Sequence, residues 1–359
     1  MCADANILTP GQQIKAVLSE DEASRLVELR YGLQVKRIVE LVAYDDRNYR
    51  VICEDRIRDN THVSEVSKDG YVLKIVNSLD SQKTGFFEAQ NELLIFLSKK
   101  GFTCPVPVKQ TDGSYYSCET IGEDGSRHIL RLLVYRPGEV LCKVPATPEL
   151  LKKVGLFTAQ LNKSLEEFSH SGYDNHTSLW VLAAVPRLRE FTFALEDKSQ
   201  VELVEQVISS FEQRVLSILA SLDKGIIHGD LNEDNLIVTA DGRDVQAVID
   251  FGDSHRSCFV FELAICLCYM ITQSKSLEMA KHVIEGYLMA RQLSQQERQI
   301  LKVCVCARFC QSLVMGSYSY QREPNNYYLI KTHEIKWKLL RQLWSMSDQE
   351  VMALWGIQD

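Results

Sequence analysis

Two short stretches of this chain concentrate the residue types that move a phosphoryl group. The first reads His228-Gly229-Asp230-Leu231-Asn232-Glu233-Asp234-Asn235 and the second Val245-Gln-Ala-Val-Ile-Asp250-Phe251-Gly252-Asp253. A carboxylate at the start of the first loop, Asp230, can orient an attacking hydroxyl and take its proton. A side-chain amide five residues on, Asn235, can offer a neutral oxygen to Mg²⁺. A second carboxylate, Asp250, arrives on the far strand of a hairpin and can bridge metal and phosphates. Mg²⁺ takes oxygen ligands, few of them from protein. Phosphoryl transfer needs mainly positioning and charge neutralisation, which these three groups provide. Each residue alone reads as a turn or cap; together, at this spacing and behind a Lys-bearing strand, they read as a site.

The spacing parallels the protein-kinase loop H-R-D-L-x-x-x-N with its later D-F-G. Two features depart from it. The second residue is Gly229, and only 20 residues separate Asp230 from Asp250, with no room for a long activation segment and no A-P-E after it. The chain instead resembles the aminoglycoside phosphotransferase/choline kinase superfamily, whose usual forms are H-G-D-x-x-x-x-N and I-D-F/W. Four further segments, Tyr44-Asp-Asp-Arg-Asn48, Glu88-Ala-Gln-Asn91, Leu132-Leu-Val-Tyr-Arg-Pro-Gly138 and Arg308-Phe-Cys-Gln-Ser-Leu-Val314, are similar to those of the hydroxylysine kinases within it. The resemblance runs from about Ser19 to the C-terminal helices. It implies a cytoplasmic small-molecule kinase that moves the γ-phosphoryl of GTP, with Mg²⁺, to the hydroxyl of 5-hydroxy-L-lysine. ATP as donor stays open. A sibling acting on choline, homoserine or an aminoglycoside-like compound would use the same chemistry. A non-catalytic nucleotide-binding scaffold is disfavoured because Lys74, Asp230, Asn235 and Asp250 are all present.

Lys74, mid-strand in Val72-Leu-Lys-Ile75, has the position of a phosphate-gripping lysine. The superfamily places a Glu early in the next helix as its partner. Glu88 and Glu92 both qualify, four apart on one face, and Glu88 is preferred. The turn Asp45-Asp-Arg-Asn48 replaces a Gly-rich loop. Being acidic, it must meet phosphates through backbone N–H groups, with Asn48 helping. The connection 132–135, including Leu133 and Tyr135, is expected to read the purine edge. A substrate with an amino-acid head and an ε-ammonium calls for carboxylates and a cation. Asp253 and Arg308 are the candidates, with Trp180 as an apolar wall.

Positioning these groups requires two lobes. Residues 1–18 look like a loose leader. Ser19 and Glu22 form a capping box ahead of a short helix that Gly32 stops. Strand patterns follow over Val35–Val42, Tyr49–Cys53 and Tyr71–Val76, then a helix over Phe87–Lys99, then strands near 115–120 and 128–134. After Arg136-Pro-Gly138 the pattern turns helical, over Pro148–Phe168 and Val201–Leu222, around a strand-rich island at 225–251. The expected fold is α+β and bilobal, like a protein kinase. A small N-terminal lobe, 19–135, has a mostly antiparallel sheet plus helix; a large, mainly helical C-terminal lobe is 136–359.

Composition removes other classes. The 359 residues are 45% hydrophobic and 25% charged, an ordinary globular balance. With 40 Lys and Arg against 48 Asp and Glu the formal charge is −8, so no basic footprint for nucleic acid exists. No run approaches a membrane span; the longest apolar run, Val260–Ile271, is broken by Glu262. Neither nucleic acid nor membrane is an expected partner. The eleven cysteines lie largely in apolar segments without paired metal-ligand spacing and read as reduced core thiols.

Overall fold

The computed structural model of the chain describes residues 7–122, 125–174 and 176–358. The chain divides into two compact units. The first comprises residues up to Pro137 together with His170–His176, and the second comprises Gly138–Ser169 and Thr177 onward. The unit boundary therefore falls two residues after the expected one, and a short piece of the second half of the sequence joins the first unit.

The first unit is a five-stranded antiparallel sheet. Helix α1 (Glu20–Tyr31) precedes strands β1 (Leu33–Leu41), β2 (Arg47–Ile57) and β3 (Tyr71–Ile75). Helix α2 (Thr84–Lys99) leads to β4 (Tyr116–Ile121) and β5 (Ser126–Val134). The order is β1-β2-β3-β5-β4. Strand alternation gives the sheet two unlike faces. Tyr49, Val51, Tyr71, Leu73, Ile75, Leu130 and Leu132 form one apolar core with Ala23, Val27 and Tyr31 of α1. The other face carries a polar row in register across four strands, Asn48 opposite Lys74, Lys74 opposite Arg131, and Arg131 opposite Tyr116. Helix α2 lies on this row: Arg131 Nη1 donates to Gln90 Oε1 at 2.7 Å and the Tyr116 hydroxyl donates to Glu88 Oε1 at 3.1 Å. The one-turn segment Ser171–Tyr173 packs on α2, with Tyr173 edge-on to Phe86 at 5.6 Å.

Residues 7–18 are not a loose leader. They form no helix or strand, yet Ile7, Leu8, Ile14 and Ala16 are buried. Arg47 Nε donates to the Ala16 carbonyl at 2.7 Å and Ser78 N–H to the Ile14 carbonyl at 2.8 Å. Apolar side chains every few residues found a place on the core, so the segment is held without a period that pattern reading detects. Residues 1–6 of that expected leader lie outside the described residues.

The second unit is mainly helical. It contains β6 (Glu139–Val140), α3 (Pro148–Leu165), α4 (Lys198–Arg214), β7 (Lys224–Ile227), β8 (Leu236–Val238), β9 (Val245–Val248), β10 (His255–Cys258), α5 (Phe259–Ser274), α6 (Ala280–Leu288), α7 (Gln295–Arg322), α8 (His333–Ser345) and α9 (Asp348–Trp355). Helices α5 and α7 form its centre. Helix α7 is long and apolar enough to cross a bilayer, contrary to the expectation that no run approaches that length, but most of it is buried inside this unit. The described cysteines are all free thiols, most of them buried. Leu182–Ala194 is an extended 3₁₀ run containing Pro186, which helical periodicity did not foresee.

Helices α3 and α6 touch through glycines. A Cβ on Gly155 would lie 1.8 Å from the Val283 carbonyl oxygen, and one on Gly286 would lie 1.8 Å from that of Lys152. Backbone cannot yield as a flexible side chain can, so Gly155→Ala forces the helices apart. The expected loss is about 1–3 kcal/mol, read as a lower Tm. Gly85→Ala, where an added Cβ meets nothing within 4 Å, is the control and leaves Tm unchanged or raises it. Equal melting of Gly155→Ala and wild type would contradict the close crossing.

Candidate active site

Two small sheets in the second unit set the site. Strand β7 pairs with β10, with Ile227 opposite His255; β8 pairs with β9, with Leu236 opposite Val248. Residues 228–235 and 249–254 therefore both run from one sheet to the other, side by side. Two contacts join them: Ile249 N–H donates to the Asn235 carbonyl at 2.9 Å, and His228 Nε2 meets the Ile249 carbonyl at 2.9 Å. This register brings Asn235 and Asp250 to the same end of the hairpin, with Asp250 just past the end of β9. Asp250 has φ 61° and ψ 72°, a left-handed conformation that few residues besides Gly adopt and that Asp tolerates.

The 228–235 loop is held by its backbone first. His228 and Gly229 N–H groups donate to the two oxygens of Glu262, at 2.5 and 3.1 Å. Glu262 is fully buried in the first turn of α5. Burial pushes its carboxyl up to about 8, against the two backbone N–H groups, which pull it down. Gly229 has φ +83°, and a Cβ there would lie 2.3 Å from the Asp253 carbonyl oxygen. That is the physical reason the motif carries Gly in its second position, where protein kinases carry Arg.

Asp230 is then fixed by its side chain. Its Oδ1 accepts from Arg308 Nη2 at 2.7 Å. Its Oδ2 accepts from Asn232 Nδ2 at 2.8 Å and Asn235 Nδ2 at 2.9 Å. Its carboxylate remains 19% exposed, whereas Arg308 is 1% exposed. Arg308 was expected to receive a substrate carboxylate. The structure corrects this: its guanidinium lies between Trp180 and Tyr269, at 5.2 and 5.3 Å from the ring centroids, and its Nη1 donates to Gln311 Oε1 at 2.8 Å. Trp180 accordingly lies on Arg308 and accepts from it through its carbonyl at 3.4 Å, so it is no plain apolar wall. Asp253 is half-buried; its carboxylate contributes to the field at Arg308, and its carbonyl accepts from His255 Nδ1 at 2.7 Å.

The donor set fits Mg²⁺. Asn235 gives Nδ2–H to the Asp230 carbonyl and to Oδ2, which fixes the amide and leaves Oδ1 with no donor among the described residues. Asn235 Oδ1 and the Asp250 carboxylate are the oxygen ligands this arrangement can offer.

In the first unit, Lys74 is 7% exposed on the α2 side of the sheet. Its expected partner Glu88 is not there: Glu88 lies on the exposed face of α2 and accepts from Tyr116. Glu92 is exposed as well, 3.7 Å from His170. The inward position is Gln90, on Arg131, which is Lys74's neighbour in register. Asn48 is the other neighbour of Lys74, and its Oδ1 is buried without a hydrogen-bond partner. In the acidic turn, Asp46 is held by a residue beyond β3, its Oδ1 accepting from Asn77 N–H at 2.9 Å and Nδ2 at 3.1 Å. Leu133 is buried in the ladder opposite Val72. Val134 and Tyr135 N–H groups donate to the Val106 and Gly70 carbonyls, so those two donors are not available to a purine edge as the sequence suggested.

Sequence reasoning missed Glu262, His255 and Gln90. A signal existed for Glu262, the one charge interrupting the longest apolar run. His255 is 2% exposed, and burial holds its pKa down at about 4, with the Asp253 carbonyl opposing and Arg308 assisting. The unfolded chain protonates first on acidification. Stability from neutral His255 is present above pH 6.5 and is lost as pH falls through about 4, amounting to about 3 kcal/mol. His255→Gln is expected to flatten the fall in Tm between pH 6.5 and 4; an unchanged slope would contradict the assignment.

Comparison with known proteins agrees with this geometry. Residues 48–299 match the model of the phosphotransferase enzyme family. The chain is 35% identical over 364 aligned residues to the hydroxylysine kinase of Bos taurus, covering 96% of this chain and 95% of that one. Among solved structures it is similar to an amicoumacin kinase, with TM-score 0.69, 14% identity and coverage of 93% and 97%. It is also similar to a GDP complex of aminoglycoside 2′-phosphotransferase-IIIa, with TM-score 0.57, 14% identity and coverage of 90% and 99%. A glycine-turned loop that fixes one carboxylate beside an amide, an α+β kinase-like fold and these matches lead to one conclusion: the chain belongs to the phosphotransferase enzyme family and is a small-molecule kinase acting on an alcohol group.

Proposed function

We propose that this kinase transfers the γ-phosphoryl of GTP to the hydroxyl of 5-hydroxy-L-lysine, giving 5-phosphohydroxylysine. The observation that carries the reaction is Asp230: a carboxylate paired with Arg308, oriented by two asparagines and still partly open. Asp230 orients the acceptor hydroxyl and takes its proton as that oxygen attacks the γ-phosphorus and the bond to the β-phosphate oxygen breaks. Mg²⁺, when bound, neutralises phosphate charge, and Asn235 and Asp250 are the residues that would hold it. Lys74 grips the nucleotide's phosphates, with Asn48 beside it on the sheet. Leu133 and Tyr135 lie on the strand end assigned to the base, with their side chains or carbonyls as the contacts.

Hydroxylysine as acceptor is supported by the name of the Bos taurus relative. GTP as donor follows the resemblance to the hydroxylysine kinases; the solved structures with this fold include an AMP-PNP complex as well as a GDP complex. Asp253, half-buried two residues from the loop's turn, supplies carboxylate character for the substrate's ε-ammonium.

The test is nucleotide consumption with GTP and with ATP against hydroxylysine, lysine, choline and homoserine. Hydroxylysine with GTP is expected to turn over best. Lysine, which lacks the accepting hydroxyl, should give only background hydrolysis. Good turnover of choline or homoserine without turnover of hydroxylysine would sink the acceptor assignment, and a clear preference for ATP would sink the donor assignment.

A further inference from the structure

A second group of charges lies close to Asp230 and takes no part in proton transfer or metal binding. Lys336 of α8 is 5% exposed. Its ammonium donates to Ser312 Oγ at 2.8 Å and sits 4.9 Å from the Tyr269 ring centroid. Among the described residues no carboxylate is within ion-pairing distance of it. An ammonium has three donors, so most of its capacity is open. Glu233, in the loop three residues after Asp230, is 6% exposed. Its Oε2 is buried without a hydrogen-bond partner, and no other described residue donates to its side chain. Burial pushes the Lys336 ammonium down, and the Glu233 carboxylate is among the charges that oppose this. A buried charge without direct pairing is costly. Here the two are of opposite sign and form no ion pair with each other.

A zwitterion placed between them would turn two incompletely compensated charges into two ion pairs and add no net charge. The location suits an acceptor. Tyr269 carries Lys336 on its ring and also lies 5.3 Å from Arg308, which is 2.7 Å from Asp230. Arg308 is committed to Asp230 and Lys331 to Asp234, which leaves Lys336, among the described cations acting on Glu233, able to meet a carboxylate.

We propose that Lys336 and Glu233 form the subsite for the α-amino-acid head of the acceptor, Lys336 receiving its carboxylate and Glu233 its ammonium. This deepens the reading of the chain as an amino-acid kinase and rests on it. It also sets a specificity: the acceptor must carry a carboxylate, which choline and simple amino alcohols lack.

The experiment measures kcat and KM of the full chain for hydroxylysine and homoserine, each beside its decarboxylated counterpart. Wild type should prefer the amino acids by about ten- to hundred-fold in kcat/KM, the effect of one charged hydrogen bond. Lys336→Met should raise the amino acid's KM by a similar factor and erase that preference, with a much smaller change in nucleotide KM. Glu233→Gln should raise KM yet keep the preference for the carboxylate. Turnover of homoserine in place of hydroxylysine, with the carboxylate preference intact, would overturn the hydroxylysine reading and support the subsite. Equal use of decarboxylated acceptors by wild type would overturn the subsite, and that comparison needs no variant to fold. A preserved preference in Lys336→Met would overturn it too.

Discussion

A guanidinium that is 1% exposed cannot shed its proton and must have an anion. In this protein Arg308 is such a cation, and its anion is the carboxylate of Asp230, the proposed base. That ion pair ties the centre of α7, the longest described helix, to the loop between β7 and β8. Trp180 and Tyr269 cover the guanidinium and Gln311 takes a second N–H, so Arg308 has little freedom to leave. Removing one partner of such a pair typically costs about 3–5 kcal/mol, because the other charge is stranded. Fold stability and the orientation of the base are therefore one quantity here.

The rest of the loop follows from the same demand for rigidity. Glu262 fixes the backbone at His228 and Gly229, and the glycine lets the chain pass the Asp253 carbonyl. The asparagines at 232 and 235 hold the second oxygen of Asp230, and in doing so Asn235 leaves its own oxygen with no donor among the described residues. Phosphoryl transfer draws nearly all its acceleration from positioning and electrostatics. A loop held at backbone and at both carboxylate oxygens suits that reaction.

The sequence was informative where chemistry requires adjacent residues. Asp230, Asn235 and Asp250 are joined by one short loop and one hairpin, so spacing alone brings them together. The fold class followed from strand alternation and helical periodicity, which reflect burial directly. Reading failed where a contact joins distant elements. Periodicity places Glu88 and Glu92 on one face of α2 but does not say which face meets the sheet, and the sheet's polar row takes Gln90 instead. Arg308 was recognised as important, yet its partner lies 78 positions away and only packing reveals it. Lys336 lies in no motif and Glu233 falls on a variable position of the 228–235 loop, so neither gave a signal, and their burial depends on how α5, α7 and α8 pack. The segment 7–18 was misjudged because its apolar residues follow neither period.

The central claim is that Arg308 acts on catalysis through Asp230. A double-mutant cycle on kcat tests it most directly, using Asp230→Asn, Arg308→Gln and the two combined. Asp230→Asn alone should cut turnover by about 10²–10⁴-fold. Arg308→Gln should be damaging in the wild-type background and nearly silent once Asp230 is already Asn, because the group it positions is gone. If the two losses instead multiply, Arg308 contributes independently of Asp230, and its role as the residue that positions the base is contradicted.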